Sequence, residues 1–196
     1  MSFISTLAFA MGSAWVSGVN LYAAVATLGL LGRFAGLTLP GELVAVTSWW
    51  VIATACALYA VEFLADKIPL VDSAWDAIHT FIRVPAGAVL AAASFGDFDA
   101  TVQAVALLLG GGLALSSHGT KATARAAINT SPEPASNIAA SLIEDAVAIG
   151  ATLLAAYHPV LLLVLVAVAV VISIIILPKI IRFLLRVFAR IRGLAR

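Results

Sequence analysis

The chain has little charge and almost no cysteine. Of its 196 residues, 63% are hydrophobic and 11% are charged, and the net charge is +1. Soluble domains contain about 25% charged residues, so this chain has too few polar groups to cover a soluble fold of its size. High hydrophobicity excludes disorder, and the single cysteine, Cys56, excludes a disulfide scaffold. Nucleic-acid binding needs clustered, unpaired basic residues, and we expect none here. The composition predicts an integral membrane protein.

Six runs of the chain contain few or no charges and are long enough for membrane helices. A helix needs about 20 apolar residues to cross a bilayer. Lipid offers no partner to unpaired backbone groups, and the runs lack the alternation of barrel strands, so we expect helices. The predicted spans cover residues 3–31, 43–61, 78–95, 102–115, 138–157 and 160–177. The sequence therefore predicts an all-α integral membrane protein whose six-helix transmembrane domain covers residues 1–177.

The distribution of Lys and Arg predicts the orientation of the spans. Cytoplasmic loops are enriched in both residues, and residues 178–196 carry six of them and no acid. With an even number of spans, both termini then lie on the cytoplasmic side of the inner (plasma) membrane. No Lys or Arg precedes Arg33, so the positive start of a signal peptide is missing and we expect the first span to be retained.

The basic residues of the C-terminal segment, residues 178–196, recur at helical spacing. They include Lys179, Arg182, Arg186 and Arg190, with apolar residues between them. This pattern is typical of an amphipathic basic helix at the membrane surface, where each basic residue gains about 1 kcal/mol from anionic lipid headgroups. The alternative is a signal for orientation without specific lipid binding.

Residues 1–95 and 100–185 resemble two copies of one three-helix unit. Aligning Gly18 with Gly119 places Asn20 opposite Lys121, and each unit continues with a helix that bears acidic residues. Three spans per unit would make the second copy inverted, an architecture common in secondary transporters. The alternative is chance similarity, because sequences built from few small apolar residue types align easily.

Most charged and histidine residues between residues 62 and 145 form two groups with helical periodicity. The first group is Glu62, Asp66, Lys67, Asp72, Asp76, His79 and Arg83, and the second is His118, Lys121, Arg125, Glu144 and Asp145. Spacings of three and four residues place three subsets on shared helix faces. These are Glu62 with Asp66, then Asp72, Asp76, His79 and Arg83, and finally a basic face of His118, Lys121 and Arg125 with Asn129. Glu144 and Asp145 lie within the fifth predicted span. A charge near the bilayer centre costs at least about 2.5–3.5 kcal/mol, so these faces should point towards a polar cavity or towards each other. Because both groups lie on the same predicted side, we expect acidic and basic faces to pair.

This pairing has two compatible interpretations. In the first, the charges form ion pairs that hold the helices in register and have no other role. In the second, they line a solvated vestibule, together with Asn20, that binds an ion or a phosphate headgroup. A divalent cation as substrate would find hard oxygen donors at Glu62, Asp66, Asp72 and Asp76. We expect no structural metal and no other cofactor.

The chain contains no specific catalytic motif. There is no GxSxG, Walker or CxxC pattern, and Cys56 is expected to be a buried, inert thiol. We therefore predict a transporter or channel for a small ion or solute and not an enzyme. Acidic side chains would handle cations or protons, and basic ones would bind counter-charges. The alternatives are a protein that binds or translocates anionic lipid and a non-transporting scaffold; a homo-oligomer is left open.

Several stretches resemble a known family. They are Gly18-Val-Asn-Leu-Tyr, Glu62-Phe-Leu-Ala-Asp-Lys-Ile-Pro, Trp75-Asp-Ala-Ile-His-Thr-Phe-Ile-Arg and Ser131-Pro-Glu-Pro-Ala-Ser-Asn. Together they resemble the small bacterial multi-pass membrane proteins grouped as domain of unknown function 4126, over residues 5–180. This resemblance implies a membrane fold and no particular activity. Glu62-Phe-Leu-Ala-Asp66-Lys67 is also weakly similar to the Glu-x-Gly-Asp-Lys motif of lysine-exporter-type cation exchangers, which have two inverted three-helix repeats.

Overall fold

The described part of the chain is helical. A computed structural model describes residues 1–130 and 134–194, and within them there are six α-helices, one 3-10 helix and no strand. The α-helices are α1 (Phe3–Phe34), α2 (Trp49–Ala65), α3 (Pro69–Ser94), α4 (Ala100–Ile128), α5 (Pro134–Tyr157) and α6 (Pro159–Leu194). The 3-10 helix, Gly41–Thr47, precedes α2. The all-helical prediction is confirmed, and the stretch Ser131-Pro132-Glu133 lies outside the described residues.

Five of these helices, all except α2, are long and apolar enough to cross a membrane. The predicted second span, residues 43–61, is not one straight helix, because the 3-10 helix and α2 meet at a bend of 70° next to Ser48. The 17 residues of α2 cover only about 25 Å at 1.5 Å per residue. The bundle therefore has six spans only if the 3-10 helix and α2 together count as one. Cys56 on α2 is exposed and not buried as predicted, because it lies on the outer face of the bundle.

Helix α1 lies at the centre of the bundle and contacts all the other helices. In its most apolar window 67% of the residues are buried, compared with 11% in α6. Small residues permit this close packing. A Cβ atom at Gly18 would collide with Ala114 and Ser117 of α4, and one at Gly12 would collide with Leu162 of α6.

A break divides α1 into two half-helices near its midpoint. Asn20 is extended, with φ −150° and ψ 101°, while its neighbours remain helical. Its Oδ1 accepts a hydrogen bond from the backbone N–H of Ala23 at 2.9 Å, which is how an N-cap residue begins a helix. The second half-helix therefore starts inside the bundle, and the first half-helix ends there.

The last helix runs through the predicted end of its span. Helix α6 continues past Pro178 to Leu194 as one element, so the basic C-terminal segment is not a separate helix. A proline in a helix interior removes one backbone hydrogen bond, and α6 continues across Pro178 despite this loss. The surface location of Lys179, Arg182 and Arg186 stays a prediction. The side chain of Arg190 lies outside the described residues.

The inverted repeat also stays a prediction. Helices α1 and α4, the first helices of the two proposed units, pack side by side, and each contacts both α3 and α6. A symmetry that exchanges the two units would require these contacts. The two helices differ at the aligned positions, because α1 is broken at Asn20 whereas α4 is regular at Lys121.

Candidate functional site

The two charged groups meet inside the bundle and form one ionic cluster. Its members are Glu62, Asp66, Asp72, Asp76, Arg83, Lys121, Arg125, Glu144 and Asp145. All are buried except Glu144, whose side chain is 17% exposed. They come from α2, α3, α4 and α5 and the loop after α2, and the break in α1 lies beside them. The structure thus places the predicted acidic and basic faces in direct contact.

The guanidinium of Arg83 is held by groups from four helices. Its Nη2 donates to Glu62 Oε1 at 2.6 Å, and its Nη1 lies 3.4 Å from Asp76 Oδ1. The same Nη1 is 3.4 Å from the carbonyl oxygen of Gly18, next to the break in α1, and 3.2 Å from His118 Nδ1. Arg83 therefore links the broken helix to the carboxylates of α2 and α3.

These contacts define the protonation state of His118. Arginine can only donate hydrogen bonds, so Nδ1 of His118 accepts from Arg83 and carries no hydrogen. The hydrogen of the neutral ring is then on Nε2, which lies 3.1 Å from the carbonyl oxygen of Asp76 and 2.8 Å from Thr80 Oγ1. A second proton on His118 would turn the contact with Arg83 into repulsion.

Lys121 lies at the centre of four carboxylates. Its Nζ is 3.3 Å from Asp66 Oδ2 and 3.3 Å from Glu144 Oε2. It is 3.7 Å from Glu62 Oε1 and 3.9 Å from Asp76 Oδ1. One ammonium group has three N–H donors, so it cannot donate to all four acids at once.

Every guanidinium nitrogen of Arg125 has a hydrogen-bond acceptor. It donates from Nε and Nη2 to both oxygens of Asp72, at 2.8–3.2 Å. Nη1 donates to the carbonyl oxygen of Asn137 at 2.7 Å, and Nη2 also donates to the carbonyl oxygen of Asp66. Asn129 adds a hydrogen bond from Nδ2 to Asp72 Oδ2 at 2.8 Å. This pair is the bidentate, fully hydrogen-bonded geometry that a buried ion pair requires.

The remaining predicted residues lie at the edge of the cluster. Asn20 Nδ2 donates to Asp145 Oδ1 at 3.1 Å, which connects the break in α1 to α5. Lys67 donates to the carbonyl oxygen of Phe63 at 2.7 Å and is 3.4 Å from Ser141 Oγ.

His79 joins α3 to the second half of α1. Its Nδ1 donates to the carbonyl oxygen of Trp75 at 2.8 Å, because a carbonyl oxygen can only accept. In a neutral ring Nε2 is then an acceptor, and the hydroxyl of Tyr22 donates to it at 3.0 Å.

The cluster contains more acids than bases. Six carboxylates surround three buried basic groups, namely Arg83, Lys121 and Arg125, with Lys67 at the edge. The buried oxygens Glu62 Oε2, Asp66 Oδ1, Asp76 Oδ2 and Asp145 Oδ2 accept no hydrogen bond from any described residue. Glu144 Oε2 is within ion-pair distance of Lys121 but also accepts no hydrogen bond from the described residues.

The predicted metal ligands do not converge on a common point. Among residues 1–130 and 134–194, no three His, Cys, Asp or Glu side chains are arranged to hold a metal ion. Glu62, Asp66, Asp72 and Asp76 each direct one or more oxygens towards Arg or Lys. Each of these four acids therefore already has a basic partner on at least one oxygen.

A small cavity of about 160 Å³ touches the cluster between α3 and α4. It is lined by Ser73, Asp76, Ala77, Thr80, Ala122, Arg125 and Ala126. A water molecule takes about 30 Å³ in the liquid, so the cavity has room for a few. It lies on the side of the bundle where α3 begins and α4 ends, which gives Asp76 a contact with space outside the cluster.

The apolar helices and their buried charges define a multi-pass helical membrane protein. The chain belongs to the family described as Domain of unknown function (DUF4126), whose profile matches residues 7–179. The matched range includes every residue of the ionic cluster. Comparison with curated proteins and with solved structures gives no significant match, and the similarity to lysine exporters is not supported.

Sequence reasoning missed Asn137, Tyr22 and Thr80, which complete the hydrogen bonding of Arg125, His79 and His118. Asn137 had a detectable signal. It lies directly before the fifth predicted span, residues 138–157, three residues after a proline and seven before Glu144.

Proposed function

We propose that the protein transports a small cation, or a solute coupled to protons, across the membrane. The observation that carries this proposal is the excess of buried carboxylates over buried basic groups in the ionic cluster. An uncompensated charge in an apolar interior is very costly. The excess negative charge therefore calls for positive charge from outside the chain, supplied by protons or by a bound cation.

The cluster divides into a structural part and a part suited to binding. Arg125 and Asp72, with Asn129, are a complete ion pair with its hydrogen bonds made. By contrast, Lys121 is shared by Glu62, Asp66, Asp76 and Glu144, and several oxygens of this group are unpaired. Ion pairs that only hold helices together need one acid for each base. The surplus acids around Lys121 are costly as scaffolding but suited to a site that is occupied and emptied.

The break in α1 supports the same proposal. Interrupted helices place partial charges at the middle of the membrane, and transporters use such ends to bind ions. Here the second half-helix begins at Asn20, which contacts Asp145, and the Gly18 carbonyl at the end of the first half-helix faces Arg83. Both half-helix ends therefore face side chains of opposite charge in the cluster. Release of these contacts would let the two halves of α1 move separately.

The arrangement is less suited to an anionic ligand. A lipid phosphate at Arg83, Lys121 and Arg125 would need free N–H donors. Every nitrogen of Arg125 has a carboxylate or carbonyl acceptor, and Lys121 has acids on several sides. At Arg83, only Nε lacks a hydrogen-bond partner among the described residues. Displacing carboxylates from these groups would leave still more negative charge unpaired.

Glu144 and Asp145 provide the test, because they lie near the midpoint of the 24-residue helix α5. In the double variant Glu144→Gln, Asp145→Asn, Lys121 keeps three acidic neighbours, so we expect the fold to remain intact. Purified wild type and variant would be reconstituted in liposomes and assayed for flux of protons, K⁺, Na⁺, Mg²⁺, Ca²⁺ and Mn²⁺. We expect flux of at least one ion in the wild type and none in the double variant.

The matched control for this assay is Asp97→Asn, which neutralises an exposed acid outside the cluster. Its flux should equal that of the wild type. Flux per folded molecule that is unchanged in the double variant, together with a large loss of stability, would show that the acids are scaffolding.

A further inference from the structure

An apolar cleft lies next to the ionic cluster on the surface of the bundle. It has a volume of about 500 Å³ and is enclosed by α1, the 3-10 helix, α2 and α3. Its walls include Val25, Trp50, Thr54, Leu58 and Val89. Sites for small organic molecules usually measure about 300–1,000 Å³ and are mostly apolar, so this cleft has the size and surface of such a site.

The cleft leads to the cluster along two helices. On α2, Leu58 of the cleft is four residues before Glu62, and on α3, Ala86 is three residues after Arg83, so each pair shares a helix face. Tyr22 forms the boundary between the two regions. It lines the cleft and is four residues after Gly18, whose carbonyl oxygen is 3.4 Å from Arg83 Nη1. The hydrogen bond from Tyr22 to His79 spans the same boundary.

The charge at this end of the cluster favours a cation. Glu62 is fully buried, and its Oε2 accepts no hydrogen bond from the described residues. Its other oxygen already pairs with Arg83. A positive charge held in the cleft would be attracted to this carboxylate, whereas a neutral molecule or an anion would leave its charge uncompensated.

We propose that the cleft binds a lipophilic organic cation, with its apolar body against Leu58 and Val89 and its charge directed towards Glu62. This inference rests on the proposed transport function, because it assigns a substrate class to the same cluster. The Tyr22–His79 hydrogen bond separates the bound body from the cluster. Movement of Tyr22 would bring the cation into contact with Glu62.

The direct test is equilibrium dialysis of the purified full-length protein with tetraphenylphosphonium, a lipophilic cation. Triphenylphosphine oxide, a neutral molecule of similar shape, serves as the comparison. We expect saturable binding of the cation and affinity weaker by about tenfold or more for the neutral analogue, because only the cation gains a Coulomb attraction to the buried Glu62 carboxylate. Glu62→Gln should weaken cation binding by a similar factor.

Two further variants test the location. Leu58→Trp should fill the cleft and abolish binding, and Thr54→Phe should do the same from a second position on α2. Leu108→Trp adds the same bulk to a position on α4 that is 73% exposed and should bind as the wild type does. Size-exclusion profiles confirm that each variant is folded.

The possible outcomes distinguish failure of the cleft assignment from failure of the transport function. Absence of saturable binding overturns the cleft assignment, and the transport function then stands if inorganic-ion flux still depends on Glu144 and Asp145. Equal binding of the cation and the neutral analogue, blocked by Leu58→Trp, identifies a groove for lipid chains and also overturns the inference. Binding that behaves as expected in a protein without any flux supports the cation site and contradicts transport.

Discussion

Neutralising Asp72 tests the division of the ionic cluster into a structural pair and a binding region. Asp72→Asn preserves the shape of the side chain but removes the charge that faces Arg125. The guanidinium would remain fully buried without its bidentate carboxylate partner. Glu144 does not replace that partner, because its Oε1 is 3.9 Å from Arg125 Nε. Removing one partner of a buried ion pair costs about 3–5 kcal/mol. We expect the free energy of unfolding to fall by about this amount.

Asp145→Asn is the matched comparison, because it also neutralises a buried acid in the cluster. Asp145 is not paired with a basic group at ion-pair distance among the described residues, and its one hydrogen bond comes from the amide of Asn20. An asparagine can accept the same hydrogen bond through Oδ1. We therefore expect stability within about 1 kcal/mol of the wild type, or higher, because a surplus buried charge is removed.

Reversible unfolding of both variants in mixed detergent micelles, followed by helical circular dichroism, measures the difference. The reasoning is refuted if Asp72→Asn and Asp145→Asn lose the same stability. A fall of less than about 1 kcal/mol for Asp72→Asn would likewise contradict the structural role of the Arg125–Asp72 pair.

Three other perturbations address the broken helix, the helix packing and a helix end. Asn20→Ala removes an N-cap and the partner of Asp145, so unfolding in micelles should show a loss of about 1–2 kcal/mol, with reduced flux in liposomes. Gly18→Ala should lower the thermal midpoint because its Cβ collides with the backbone of α4, whereas Gly112→Ala, with open space around it, should leave it unchanged or raised. The pKa of Asp99 is lowered by the backbone N–H two residues further on, so its capping contribution is full at neutral pH and disappears as the pH falls through that lowered pKa. When the thermal midpoint is measured as a function of pH, the fall at acid pH that comes from Asp99 should be missing in Asp99→Ala.

The contact between the acidic and basic faces was predictable because it depends on periodicity. Asp72, Asp76 and Arg83 share one face of α3, and Lys121 and Arg125 share one face of α4. Charged side chains in a membrane helix face a polar cavity or pair with one another, because exposure to lipid is costly. The pairing of these two faces follows from those facts without knowledge of the packing.

Features that depend on tertiary contacts could not be read from the sequence. The break at Asn20 has no proline beside it, and its partners come from distant parts of the chain. Arg83 donates to the carbonyl oxygen of Gly18 at the break, and Asp145 accepts from the side-chain amide of Asn20. The bend at Ser48 divides an uncharged run that hydropathy alone treats as one span. The last span was predicted to end at residue 177, but α6 continues past Pro178, because the loss of one backbone hydrogen bond at a proline does not have to end a helix.

The surplus of carboxylates was visible as composition, but its meaning required distances. Counting acids and bases along the chain cannot distinguish a saturated pair, such as Arg125 with Asp72, from a shared ammonium such as that of Lys121. That distinction comes from the positions of individual oxygens, of which Asp66 Oδ1 and Asp76 Oδ2 remain unpaired among the described residues.

The central claim is that positive charge enters and leaves the ionic cluster, and charge movement can be recorded directly. Proteoliposomes adsorbed on a solid-supported membrane would be exposed to rapid jumps of pH and of cation concentration. We predict a transient current in the wild type and in Asp97→Asn, and no current in Glu144→Gln, Asp145→Asn. A current of equal size in the double variant, or none in the folded wild type under any of the jumps, would contradict the account.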